Sequence, residues 1–100
     1  MATTPKAFYR GSLPAAQTTV YTVPASTKAI VTNVVATNPG TSSALVTVKL
    51  DNHSILASVG IAAKGVLTLE LAQVIEAGST ISVQGGTPAA SVHISGVEVA

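Results

Sequence analysis

Charge is scarce in this chain: nine of its 100 residues are Asp, Glu, Lys or Arg, against about a quarter in an ordinary soluble domain. A lone domain stays dispersed through a charged, mixed surface. So few charges imply that part of the surface is buried against other protein, as in a component of an assembly. Cysteine is absent, which removes disulfides, thiolate zinc sites and thiol chemistry together. The five basic residues, Lys6, Arg10, Lys28, Lys49 and Lys64, are scattered singly and the net charge is +1. That excludes the clustered cations that phosphate backbones require, so no nucleic-acid partner is expected. Long apolar runs are also missing. The nearly uncharged stretch 29–48 is interrupted by Asn33, Asn38, Pro39 and Gly40, and Met1-Ala-Thr-Thr-Pro-Lys lacks the apolar core of a signal peptide, so no membrane association is expected.

What is present is β-forming. Apolar residues make up 47% of the chain, mostly Val, Ala, Leu and Ile, with Thr, Ser and Gly filling much of the rest. The length suits one domain. Residues 1–17 stand apart, because Pro5, Gly11 and Pro14 interrupt any periodicity. Yet Phe8 and Tyr9 are two of the three aromatics in the chain. This composition predicts an extended N-terminal arm over 1–17 that docks on a neighbouring subunit or on its own body, with Phe8, Tyr9, Arg10 and Leu13 as the docking residues and 18–100 as the folded domain.

From Thr18 onward, β-branched runs alternate with turn signals. Thr18-Thr-Val-Tyr-Thr-Val stops at Pro24, Lys28–Thr37 ends at Asn38-Pro39-Gly40, and Ala44–Leu50 alternates up to a turn at Asp51-Asn52-His53. Ile55, Ala57, Val59 and Ile61 alternate again. Leu67, Leu69 and Leu71 point inward, opposite Val66, Thr68 and Glu70. The stretch 72–79 reads as one helical turn or a wide loop. Ile81 and Val83 mark a short strand broken at Gly85-Gly86-Thr87-Pro88, and Ser91–Val99 is the last.

Two strands carry apolar residues on both parities. Along Lys28–Thr37, Ile30, Thr32, Val34 and Ala36 fall on one face and Val31, Asn33 and Val35 on the other, which suggests a strand face packed against a second subunit. In the last strand Val92 and Ile94 share one parity, Val97 and Val99 the other. A β-bulge at the intervening Gly96 would switch faces there. About eight strands with turn signals roughly every ten residues predict an all-β fold, an antiparallel β-sandwich. Periodicity leaves jelly-roll and immunoglobulin-like strand orders open.

Catalytic chemistry has little material. The histidines are His53 and His93, and the carboxylates are Asp51, Glu70, Glu76 and Glu98. Asp51-Asn52-His53 has the residue types of a metal fragment, but Asp-Asn is ordinary turn chemistry. No Gly-x-Ser-x-Gly elbow occurs, and Gln84-Gly85-Gly86-Thr87 lacks the Lys and helix of a phosphate loop. The expectation is a non-enzymatic protein without metal or cofactor.

Phe8-Tyr-Arg-Gly, the run Thr19-Val-Tyr-Thr-Val-Pro-Ala-Ser-Thr-Lys-Ala-Ile-Val-Thr-Asn-Val-Val-Ala-Thr-Asn, then Leu67-Thr-Leu-Glu-Leu-Ala-Gln-Val-Ile-Glu-Ala-Gly-Ser-Thr-Ile and Val92-His-Ile-Ser-Gly-Val-Glu-Val together resemble small virion structural proteins of tailed bacteriophages. The chain departs from that pattern at two turns, with Ser26 where Gly is usual and Ser79 where Asp is usual. The resemblance implies a β-sandwich capsid decoration (cement) protein. Such a protein is made in the host cytoplasm and bound to the outer capsid surface of the virion. Its partners would be the major capsid protein and copies of itself, with a trimer the expected oligomer. A tail-tube, tail-tip or fibre subunit, or an adhesin module binding host glycans, are the alternatives it leaves open.

Overall fold

The β-branched runs all become strands, separated by the turn signals at Pro24, Asn38-Pro39-Gly40, Asp51-Asn52 and Gly78. A computed structural model describes residues 3–85 and 90–100. The described residues form β1 (Thr3–Ser12), β2 (Thr18–Thr22), β3 (Lys28–Thr37), β4 (Ala44–Leu50), β5 (His53–Ile61), β6 (Val66–Ile75), β7 (Thr80–Gly85) and β8 (Ser91–Val99). They pair into two antiparallel four-stranded sheets of order β1-β8-β3-β6 and β2-β7-β4-β5. That order, with the chain crossing between sheets at most connections, is a jelly roll. It resolves the choice that periodicity left open. The break expected at Gly85-Gly86-Thr87-Pro88 lies mostly outside the described residues.

The core sits between the sheets and is aliphatic. Val31, Val34, Val92 and Ile94 from one sheet meet Val46, Val48, Ile81 and Val83 from the other, all essentially inaccessible to solvent. Leu67, Leu69 and Leu71 lie half-buried against this layer, with Val66, Thr68 and Glu70 outside, as the alternation predicts. No helical turn forms in 72–79. β6 runs on to Ile75, and the chain reverses only afterwards, near Gly78 (φ 85°).

Three bulges cross the first sheet as one diagonal band, and they correct the face assignments read from strict alternation. On β1 the extra residue is Phe8, between Ala7 and Tyr9. On β3 it is Thr32, between Val31 and Asn33, and opposite it β6 places Leu71 and Ala72. The inner set of β3 is therefore Ala29, Val31, Val34 and Ala36, and Ile30 and Val35 turn outward. Strand β8 behaves in the opposite way to the expectation. It keeps unbroken alternation, with no switch at Gly96; Val92, Ile94 and Gly96 are inward, and Val97 and Val99 end on the outer face.

Gly96 is required for close approach. A Cβ there would collide with the backbone carbonyl oxygen of Ile30 and lie 2.8 Å from the Phe8 ring. In the second sheet a bulge at Ala57–Ser58 shifts β5, so Leu56 rather than Ala57 is the buried residue. Ser58 has a φ of 49°, and its N–H donates to Thr47 Oγ1 at 3.0 Å. Ser26, in the β2–β3 turn, has a φ of 59°, a left-handed conformation that glycine adopts without strain.

Candidate interaction surface

The four residues expected to dock on a partner fare differently. The segment 1–17 is not a free arm: from Thr3 to Ser12 it is the edge strand β1, laddered onto β8. Phe8 and Leu13 are 6% and 3% exposed in this chain's own core. Their aromatic and apolar surface packs into this chain's own body, one of the two docking partners that the sequence left open for the segment. The Phe8 ring stacks obliquely on Tyr21 across the two sheets, with centroids 4.6 Å apart. Tyr9 is half-buried against the core and its hydroxyl donates to the Ser12 carbonyl at 2.8 Å. Arg10 alone of the four lies fully outward, on the same face as its cross-strand neighbour His93.

The motif residues that could carry chemistry are dispersed. Asp51 and Asn52 form a two-residue hairpin loop with φ of 53° and 63°, closing the Leu50–His53 pair. This is the backbone of a type I′ turn, where short polar side chains tolerate positive φ. His53 starts β5 and His93 lies in mid-sheet on β8. Among the described residues no three His, Cys, Asp or Glu side chains gather where they could share a metal ion.

The best-built polar cluster joins the two sheets. The Tyr21 hydroxyl on β2 donates to Glu98 Oε2 on β8, and Lys6 Nζ on β1 is 3.7 Å from the same oxygen. Burial first, then the hydrogen bond to Glu98 and its negative charge, raise the Tyr21 phenol well above its ordinary pKa of 10.0. The arrangement closes the β1–β2 side of the sandwich. Burial and the Glu98 carboxylate favour the neutral Tyr21 phenol.

A second cluster organises the loops at one end, and Asn38 is its hub. The sequence marks this residue only as part of a turn. Its side chain is wholly buried. Nδ2 donates to the carbonyls of Ser42 (2.7 Å), Ile61 (3.1 Å) and Ala62 (3.3 Å), and Oδ1 accepts from Gly40 N–H. The β3–β4 and β5–β6 connections are fixed to each other by this one amide, helped by Lys64 donating to the Pro39 carbonyl at 2.9 Å. No local pattern distinguishes such an Asn from an ordinary turn Asn, because two of its three acceptors, Ile61 and Ala62, lie more than 20 residues away.

The remaining surface divides sharply by sheet. Outward positions of β2-β7-β4-β5 are mainly polar or small: Thr19, Thr22, Thr47, Lys49, Thr80, Gln84 and, on β5, Ser54, Ala57, Ser58 and Gly60. Ser82 is buried where it accepts from Gln17 Nε2, and exposed Leu45 is the one large apolar exception among the described residues. Outward on β1-β8-β3-β6, the cross-strand row Pro5–Val97–Ile30–Val74 is apolar from edge to edge. Val99 lies beside it, and Val35 and Val66 farther along the same face. Val74 and Val66 are 56% and 63% exposed. Arg10 and Glu70 both lie to one side of the apolar row, on opposite edge strands. This face is the candidate interaction surface, and it exists because β8 does not switch phase at Gly96. Comparison of the chain with protein-family models, with curated proteins and with solved structures gives no match.

Proposed function

We propose that this chain is a non-enzymatic virion protein of a tailed bacteriophage, a capsid decoration protein that binds as an oligomer on the outer head surface and reinforces the shell. The observation that carries the reading is the unequal outer faces of the sandwich. One is a Thr/Ser/Gln surface suited to water; the other presents an apolar row across all four strands. A subunit of an assembly needs that asymmetry: an apolar face to be covered by neighbouring protein and a polar one to meet water. The chain's resemblance to small tailed-phage virion proteins, strongest over β2–β3, β6 and β8, supports the same reading. Jelly rolls occur in capsid proteins and in lectins alike, so the fold alone is neutral between them.

Mechanistically, many copies would repeat one modest contact over the head, and avidity would stabilise the particle without tight individual binding. The test is co-sedimentation of the full-length protein with expanded and unexpanded heads stripped of decoration, with glycan and host-cell binding measured in parallel. Saturable binding to expanded heads is the expected result. Binding to glycans or cells with none to heads overturns the proposal in favour of an adhesin.

A further inference from the structure

We infer that the outer face of the β1-β8-β3-β6 sheet is closed by a second copy of the same chain, the two faces packing about a two-fold axis parallel to the strands. This deepens the oligomeric part of the proposed function and rests on its premise that the chain assembles.

The face is large enough. Four strands at about 4.8 Å spacing and nine residues at about 3.3 Å rise give roughly 570 Å² per copy, or about 1,100 Å² for the pair. A specific interface should clear about 1,000 Å². Its apolar row spans the sheet, so either edge can meet apolar surface from a partner.

Charge selects the axis. Arg10 is on edge strand β1 and Glu70 on the opposite edge strand β6, in adjacent outward rows: Arg10 with His93, Val35 and Thr68, and Glu70 with Asn33, Ser95 and Ala7. Both are exposed, and among the described residues neither enters a salt bridge. An axis along the strands lays β1 of one copy over β6 of the other. Arg10 then approaches the partner's Glu70, and the reciprocal contact forms on the far side. The same operation sets Pro5 over the partner's Val74 and Val97 over the partner's Ile30.

An axis across the strands through the middle of the face instead stacks Glu70 on its own copy, like charge on like, and sets the apolar row against the Arg10 row. Shape agrees with the first arrangement. A shallow depression of about 310 Å³ lined by Pro5, Lys6, Ala7, Arg10, Ser95 and Gly96 lies on the β1 side, and Val74, 56% exposed on the β6 side, falls over its Pro5 rim in the partner.

The test is sedimentation equilibrium of the full-length protein with a charge-swap series: Arg10→Glu, Glu70→Arg and the double substitution. Both positions are exposed, so the fold survives each change, and circular dichroism verifies that it does. A two-fold contact duplicates each repulsion. Each single variant is therefore expected to weaken dimerisation by at least about tenfold, and the double variant to restore it. A wild-type monomer at about 100 μM, a trimer, unaffected single variants, or a double variant no better than the singles overturns the inference. Head binding is read separately. Charge-swapped dimers that do not bind heads remove the decoration reading and leave the dimer; head binding by a wild-type monomer does the reverse.

Discussion

Replacing Gly96 by alanine adds one methyl group at the most crowded point of the first sheet. The new Cβ has two neighbours: the Ile30 carbonyl oxygen on β3, in steric collision, and Phe8 Cε2 on β1 at 2.8 Å. Carbon atoms pack at about 3.5–4.0 Å, so the Phe8 ring would have to retreat by roughly 1 Å. It cannot do so freely, since it rests on Tyr21 at 4.6 Å. The other neighbour is backbone held by ladders to β8 and β6, so the Val31–Gly96 level of the sheet must open. Overpacking costs about 1–3 kcal/mol, and each weakened ladder bond about 1 kcal/mol more. A loss of about 3–4 kcal/mol follows, a large share of the roughly 5–15 kcal/mol that stabilises a domain. At about 4–8 °C per kcal/mol, the melting temperature should fall by roughly 12–30 °C.

Thermal and urea melts followed by circular dichroism measure the effect. Gly60→Ala is the control, because a Cβ there meets nothing within 4 Å; it should change stability by less than about 1 kcal/mol. In a Phe8→Ala background most of the Gly96→Ala cost should persist, since the Ile30 carbonyl remains in the way. A Gly96→Ala protein melting within about 3 °C of wild type would refute the close approach of β1, β8 and β3 described here.

Asn38→Ala leaves the Ile61 and Ala62 carbonyls without their side-chain donor and should cost about 2–4 kcal/mol in urea unfolding; Asn38→Asp should cost more at neutral pH, because it turns a carboxylate toward three carbonyl oxygens. The folded-state pKa of Tyr21 is raised above its ordinary 10.0, so its contribution to stability is fully present below pH 10 and is lost as pH rises beyond it. Urea midpoints for the wild type should therefore fall above about pH 10 more steeply than for Tyr21→Phe; parallel slopes would rule out this linkage.

The apolar and β-branched runs read correctly as strands wherever spacing alone decided the matter. The Asp51-Asn52 hairpin, the Asn38-Pro39-Gly40 turn and the Leu67/Leu69/Leu71 inner face are local features, and each follows from side-chain period or turn chemistry. The misassigned faces of β3 and β5 lie beyond a bulge, and those of Val97 and Val99 follow from a bulge that β8 does not have. One extra residue at Thr32 inverts the parity of half of β3, and nothing in Ile30–Asn33 marks it, because Thr fits a bulge and a regular strand equally well. For the same reason Phe8 reads as an arm residue. Its burial depends on Gly96, nearly 90 residues later, coming to lie under its ring.

Composition and period by themselves determined an all-β chain of small core residues, too poor in charge to present two polar faces. Only the tertiary structure decided the strand order, since pairing between sequence-distant strands leaves no trace in local periodicity. The structure also absorbed Phe8 and Leu13 into the core and sent Val97 and Val99 outward. The physical reason is that β8 is sandwiched between β1 and β3 and keeps its alternation, while its neighbours bulge to accommodate Gly96. That places the apolar row on the outer face of one sheet and leaves the other to solvent.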